Sequence, residues 1–333
     1  MKITVMGSGA WGTALALVLV DNGHDVTLWT YKSLQAQEMR EQRVNRRLKG
    51  VTLPEKLQIS DDLHSVAQSD MVVMATPSFA VRDTARMIAP LVKQNVVVVT
   101  VSKGVERDSA LSMSQIIEQE LDGKGSVVAL SGPSHAEEVA LRVPTGCVAA
   151  SENLQAALTT QDAFMNANFR VYTSEDIIGV ELGAALKNVF ALCCGMSDGL
   201  GLGDNTKALL MTRGMTEMAR LGMALGGRKE TFAGLSGMGD LIVTCTSMHS
   251  RNRRCGILIG KGKAVAEAIE EVGATVEGYY AAYSARQLAQ KMGVEMPICE
   301  CAYHILYENC SVNSVVESLM NREKRREEDE SWI

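Results

Sequence analysis

The feature that most constrains this chain lies at its start. Lys2–Met6 is a short, mostly apolar and β-branched run, Gly7-Ser8-Gly9-Ala10-Trp11-Gly12 follows at once, and an apolar stretch, Thr13–Val20, leads to Asn22-Gly23. Strand, G-x-G-x-x-G turn and helix in that order open a βαβ unit of the kind that cradles a dinucleotide pyrophosphate. Gly7 permits the tight turn and Gly9 lets phosphate approach the backbone. Gly12 lets the helix pack close to the sheet, with its positive N-terminus beside the phosphates. Asn22-Gly23 supplies the helix stop.

Further short apolar runs follow at Asp25–Trp29, Met71–Ala75, Val96–Val101, Val127–Leu130 and Gly146–Ala150, separated by helical patterns. Runs apolar on both faces fit parallel strands covered by helices on either side, so this part reads as right-handed βαβ units in a doubly wound α/β sheet. The character changes near Thr173–Gly179. From Ile177–Met196 onward long helical patterns take over, broken at Gly199–Gly203, Gly226–Gly227 and Gly234–Gly239. The expected organisation is a dinucleotide-binding domain over 1–179 and an all-α domain over 180–333. Two domains suit 333 residues. The charged stretch Asn321–Ile333 reads as a solvated helix end or frayed tail.

The formal net charge of −6 argues against a nucleic-acid or anionic-membrane binder, which would carry a basic excess. No apolar run reaches the roughly 18–20 residues of a membrane span, and Thr13–Val20 lacks the flanks of a signal peptide. These readings point to the cytoplasm. Eight cysteines are present, none in a CxxC pair. For Cys299/Cys301 no His or second Cys pair stands at ligand spacing, so reduced thiols and no metal are expected.

At the end of the second apolar run, where an NAD-selective site places a carboxylate for the ribose hydroxyls, the chain reads Trp29-Thr30-Tyr31-Lys32. Lys32 either meets a 2′-phosphate or is a plain surface lysine. The first reading makes NADPH the preferred cofactor, with NADH also used.

The remaining motifs carry a resemblance. The glycine loop, Ser102-Lys103-Gly104, Ser131-Gly132-Pro133-Ser134, Leu186-Lys187-Asn188, Gly237-Met238-Gly239-Asp240-Leu241, Ser250-Arg251-Asn252-Arg253-Arg254 and Val276-Glu277-Gly278 occur in that order. In order and spacing the chain resembles the bacterial NAD(P)-dependent glycerol-3-phosphate dehydrogenase family from near residue 1 to about 320, with Trp11 where some members carry Tyr or Phe. The resemblance implies a Rossmann-type domain followed by a helical one, with the active site in the cleft between them. It also implies interconversion of dihydroxyacetone phosphate and sn-glycerol 3-phosphate, a supply of the latter for phospholipid synthesis, and compatibility with a homodimer. It implies Lys187 as acid/base. Substrate contacts come from Lys103, Gly132, Ser134, Lys187, Asp240, Ser250, Arg251 and Asn252. Cofactor contacts come from Ser8, Trp11, Tyr31, Lys32, Lys103, Ala136, Arg251, Thr275 and Glu277, beside Gly7, Gly9, Ala10 and Gly12 of the loop.

The chemistry of these residues suits such roles. Ketone reduction needs a proton donor, and Lys187 sits among apolar and small residues whose desolvation lowers an amine's pKa. Gly183, Ala184 and Ala191 share its side of the helix and would leave room for a ligand. The alternative is a lysine snorkelling to water. Asp240, after a glycine-rich approach, orients Lys187, accepts from a substrate hydroxyl, or caps the helix beginning at Leu241. Arg251, with Ser250 and Asn252, suits a small phosphorylated ligand, whereas Arg253 and Arg254 fit a solvated face. Lys103 and the Ser131–Ser134 turn follow strands, where ligands of doubly wound sheets gather. His135 ranks below Lys187 as an acid, and His24, His64, His249 and His304 lack paired partners and read as structural or exposed. The rivals are another two-domain dehydrogenase, of the 3-hydroxyacid or 6-phosphogluconate type, and a nucleotide-sensing regulator without catalysis.

Overall fold

A computed structural model describes residues 1–107, 109–324 and 326–327. The chain divides into two compact units. One comprises Met1–Lys103 and Leu111–Ile177, the other Gly104–Ala110 and the chain from Ile178 onward. The short excursion at Gly104–Ala110 has no counterpart in the sequence boundary at 179/180. Of the charged C-terminal stretch, residues 325 and 328–333 lie outside the described residues.

The first unit is built on an eight-stranded sheet. In chain order the strands are β1 (Lys2–Met6), β2 (Asp25–Trp29), β3 (Val44–Asn45), β4 (Leu48–Thr52), β5 (Gln58–Ser60), β6 (Met71–Met74), β7 (Val96–Thr100), β8 (Gly125–Ser131), β9 (Thr145–Ala150) and β10 (Phe169–Ser174). The sheet runs β10-β9-β8-β7-β6-β1-β2-β5, with β3 and β4 as a separate ribbon. All neighbours in it pair parallel except β8 and β9. That pair departs from the expected run of parallel crossovers. Between its strands stands only the five-residue helix Ala136–Ala140, and the chain returns antiparallel. The β3–β4 ribbon, β5 and β10 were not expected. β10 alternates buried Phe169 and Val171 with exposed Arg170 and Tyr172, the pattern of a sheet edge rather than of a doubly covered strand.

Alternate residues feed two cores. Ile3, Val5, Met71 and Val73 pack with Leu15 and Leu19 of the helix Ala10–Asp21 and Phe164 of Leu154–Phe164. Met6, Val72, Met74, Val96 and Val98 pack on the other face with helices Val81–Ile88 and Met113–Leu121. Strands apolar at every position thus follow from burial on both faces.

The second unit is helical, organised around the helix Ile177–Leu200. Leu186, Val189, Phe190 and Leu192 from it share one core with Met218 and Leu221 of Gly203–Ala224, Ala282 and Ala285 of Glu277–Met292, and Ala302 and Ile305 of Pro297–Glu308. Among the described residues this one helix is long and apolar enough to cross a membrane, and 94% of its apolar window is buried. The expectation that no stretch reaches that length needs correction. Glu181, Lys187 and Asn188 interrupt the apolar run without offsetting its average, and burial of the helix accounts for the composition. Its glycines set its neighbour. A Cβ at Gly195 would stand 2.2 Å from the Arg253 carbonyl oxygen, and one at Gly199 2.4 Å from that of Ile257. The helix Arg251–Gly260 therefore lies backbone to backbone on Ile177–Leu200.

Candidate functional site

In the first unit the glycine loop leaves β1 between β2 and β6, where strand order reverses and doubly wound sheets bind ligands. Gly7 has φ +118°, and a Cβ there would meet the Ala75 carbonyl oxygen at 2.7 Å. A Cβ on Gly12 would stand 2.0 Å from the Gly7 carbonyl oxygen, whereas one on Gly9 would meet nothing within 4 Å. Gly9 is the N-cap of Ala10–Asp21 and offers no side chain to it, so the first N–H groups of the helix have no partner within it. Ala10 and Trp11 stand half-buried in that first turn. A loop with open space at Gly9 and donors aimed outward fits a pyrophosphate.

Asn45 was not found by sequence reasoning. It is buried, and its Nδ2 donates to the Ser8 carbonyl at 3.0 Å and to Thr13 Oγ1 at 2.7 Å. It braces the loop against its helix from the β3–β4 ribbon, a connection no local spacing announces.

Tyr31 and Lys32 follow β2 and are exposed, with Lys32 Nζ 5.4 Å from the Tyr31 ring centroid. Lys103 is half-buried beyond β7. Gly132 packs at the end of β8, where a Cβ would stand 2.6 Å from the Gly146 carbonyl oxygen. Ser134 Oγ donates to the Gly132 carbonyl at 3.0 Å, and Ala136 opens the short helix behind this turn.

In the second unit Lys187 is 5% exposed and Asp240 1%. Lys187 Nζ donates to Asp240 Oδ1 and, at 2.8 Å, to Thr244 Oγ1. Thr244 in turn donates to the Asp240 carbonyl at 2.6 Å. The lysine is thus not snorkelling to water. Burial disfavours its ammonium and the carboxylate favours it, so desolvation is one of two opposing effects. Thr244, one helical turn beyond Asp240, completes the group and was missed. The spacing of four was its available signal.

Two local expectations change. The approach to Asp240 is a π-helical turn, Leu235–Gly239, continuous with the helix Asp240–Thr246, a feature common at functional sites. Gly183 leaves no room for a ligand, because a Cβ there would stand 2.8 Å from the Ser236 carbonyl oxygen. Its missing side chain admits that turn, while Ala184 and Ala191 are buried.

Ser250 caps the helix Arg251–Gly260, accepting from the Arg253 N–H at 3.2 Å. Asn252 is buried, donates to Asn188 Oδ1 at 2.9 Å and accepts from the Gly278 N–H at 2.9 Å. It ties the residue after Lys187 to the start of Glu277–Met292, where Thr275 and Glu277 lie half-buried. Arg251 is exposed at the first helical position and makes no side-chain hydrogen bond or ion pair among the described residues. Arg253 does not belong to a solvated face. It bonds Asp198 Oδ2 at 2.8 Å and the Thr246 carbonyl at 2.7 Å, and Lys207 joins the same aspartate at 2.8 Å.

The histidines do have partners, in structural or exposed settings: His24 Nε2 lies 3.1 Å from the Ala163 carbonyl, exposed His64 pairs with Asp62, and His304 with Glu300 and Glu308. All eight cysteines are free thiols.

Two family profiles match the chain. That for the NAD-dependent glycerol-3-phosphate dehydrogenase N-terminus matches residues 2–157, and that for the C-terminus residues 176–317. The chain belongs to this family. Glycerol-3-phosphate dehydrogenase [NAD(P)+] of Fusobacterium nucleatum is 50% identical over the whole of both chains. The Bacillus pumilus protein of the same name is 51% identical over 98% of this chain and 96% of its own. The crystal structure of glycerol-3-phosphate dehydrogenase from Coxiella burnetii superposes with a TM-score of 0.92 at 39% identity, covering 96% of this chain and 99% of that one. As a member of the NAD(P)-dependent glycerol-3-phosphate dehydrogenases the chain is an oxidoreductase using NAD(P), with a Rossmann-type sheet and a helical C-terminal domain.

Proposed function

We propose that the enzyme interconverts dihydroxyacetone phosphate and sn-glycerol 3-phosphate with NADPH preferred over NADH, Lys187 serving as acid and base. The observation that carries this reading is the buried Lys187–Asp240–Thr244 group beside a helix whose first residue, Arg251, makes no side-chain hydrogen bond or ion pair among the described residues. The first unit holds the dinucleotide on the glycine loop through Gly7, Ser8, Gly9, Ala10, Trp11 and Gly12, and its adenosine end by Tyr31 and Lys32. Lys103, Ala136, Arg251, Thr275 and Glu277 complete the cofactor contacts. When bound, the reduced nicotinamide supplies the hydride.

The protein supplies the rest. Lys187 Nζ donates a proton to the substrate's carbonyl oxygen as it becomes a hydroxyl, and takes it back in the reverse direction. Asp240 and Thr244 aim the amine, and Asp240 offsets the cost of a buried ammonium. Arg251 pairs with the phosphate through its planar fork. Ser250 accepts from Arg253, which leaves its own hydroxyl hydrogen for a phosphate oxygen, and Asn252 Nδ2 retains a second hydrogen. The ten-residue helix behind them turns its positive end toward the same anion. Lys103, Gly132 and Ser134 complete the substrate contacts. The enzyme acts in the cytoplasm, where free thiols persist, and feeds phospholipid synthesis.

The test is NADPH and NADH oxidation with dihydroxyacetone phosphate and with unphosphorylated dihydroxyacetone. Rapid oxidation that requires the phosphate is expected. Equal rates on both ketones, or none on either by protein that binds NADPH, would move the assignment to another substrate.

A further inference from the structure

We propose that His304, Glu308 and Cys310 form a binding site for one zinc-class divalent cation on the helical unit. His304 and Glu308 stand four residues apart on the helix Pro297–Glu308 and so share a face. Asn309 ends that helix in the left-handed conformation, at φ 58° and ψ 27°. The reversal lets the Cys310 N–H donate to the His304 carbonyl at 3.1 Å, which carries the thiol back over the last turn. One imidazole nitrogen, one carboxylate oxygen and the Cys310 sulfur lie within 4.8 Å of one another.

A tetrahedral zinc ion, with bonds of about 2.0–2.3 Å, sets its donor atoms roughly 3.3–3.8 Å apart. To reach that spacing the His304 Nδ1–Glu308 Oε2 pair, at 2.6 Å, must open and any distance near the 4.8 Å limit must close, adjustments that the exposed side chains of Glu308 and Cys310 are free to make. His304 is already oriented. Its Nδ1 lies 2.6 Å from Glu308 Oε2, and its Nε2 lies 3.5 Å from Glu300 Oε1 on the turn before. With Nδ1 given to a metal, the carboxylate beyond Nε2 is placed to take that nitrogen's N–H.

The local charge asks for a cation. Among the described residues Arg286 is the one Lys or Arg that pairs with the two carboxylates, at 2.9 Å from Glu300 and 3.9 Å from Glu308. A Cys310 thiolate would add a further negative charge, which a divalent ion offsets. One nitrogen, one oxygen and one sulfur donor select zinc or cobalt over magnesium and calcium, which prefer oxygen alone, and water completes the shell. The sequence expectation of no metal rested on spacing around Cys299 and Cys301. The approach of Cys310 to His304 depends on the left-handed turn at Asn309, which spacing does not show.

The test is titration of the reduced, metal-stripped enzyme with Co²⁺, followed by absorbance, and competition by Zn²⁺. The expected result is one equivalent bound, with a thiolate-to-cobalt charge-transfer band that vanishes in Cys310→Ser and is displaced by zinc. Glu300→Gln, which touches no metal, should weaken binding by about ten- to a hundredfold. Zinc should also slow alkylation of Cys310, the one exposed cysteine among those described. A band that persists unchanged in Cys310→Ser, or no saturable binding at one equivalent, would overturn the site. Neither readout depends on catalytic activity.

Discussion

Lys187 and Asp240, 53 residues apart in sequence, meet in a buried hydrogen bond because a glycine stands one turn before the lysine. Gly183 lets the Ser236–Gly237 backbone lie against the helix, and the π-helical turn carries Asp240 from there to the amine. The pairing is therefore a property of helix packing as much as of the two charged residues.

That relationship predicts the effect of Gly183→Ala. The added Cβ would stand 2.8 Å from the Ser236 carbonyl oxygen, and backbone cannot rotate away as a side chain can. Stability should fall by about 1–3 kcal/mol, the usual cost of overpacking, and turnover should fall more than cofactor affinity. Thermal melting and steady-state kinetics read both effects. Wild-type values in each would mean that the turn is not held by this contact.

Asn45→Ala removes both hydrogen bonds that its Nδ2 donates to brace the glycine loop, to the Ser8 carbonyl and to Thr13 Oγ1. NADPH binding, followed by fluorescence titration, should weaken by about tenfold, equivalent to roughly 1.4 kcal/mol. Since Asn45 lies outside the proposed substrate contacts, the KM for the ketone at saturating NADPH should hold. An unchanged cofactor Kd would remove Asn45 from any positioning role.

Lys32→Ala addresses cofactor choice. The lysine lies exposed beside Tyr31 just past β2, where the adenosine ribose of a Rossmann-type cofactor is expected. The ratio of kcat/KM for NADPH over that for NADH should drop, chiefly through a higher KM for NADPH. If the ratio survives, Lys32 is a surface lysine and the preference has another source.

Glu217 gives a pH-dependent stability. Burial raises its carboxyl to about 7 from an ordinary 4.5, against the opposing pull of the Ile298 and Cys299 N–H groups it accepts from. Between those two values the folded protein holds a proton that the unfolded chain has lost, so stability falls as pH rises through this window. Below it both states are protonated and above it both are ionised. Relative to Glu217→Gln, wild-type stability should drop by about 3 kcal/mol from pH 4.5 to 7. Urea unfolding across that range measures the difference, and parallel pH profiles would contradict it.

Much of this was legible in the sequence, for definite reasons. Strands covered on both faces must be apolar at every position, so β1, β6 and β7 stand out, and the glycine loop is visible because only glycine fits at Gly7 and Gly12. β10 and the β3–β4 ribbon are weaker signals, short or half-exposed, and the antiparallel return at β9 leaves no trace in composition. At the candidate site the motifs carrying Lys187, Asp240 and Arg251 were readable through family resemblance. Asn45 was not, since it acts through a contact set by tertiary packing, and Thr244 had only its spacing of four from Asp240 to mark it. Gly183 was noticed for the wrong reason: a small residue can admit backbone as readily as ligand.

The central claim is that Lys187 moves the proton, and Lys187→Ala tests it most directly. The variant should bind NADPH with wild-type Kd and keep its helical circular dichroism, while kcat on dihydroxyacetone phosphate falls by about 10²–10⁴-fold, the usual contribution of a positioned acid or base. Turnover close to wild type in a folded, NADPH-binding variant would contradict the account and return the search for the proton donor to the other groups of the site.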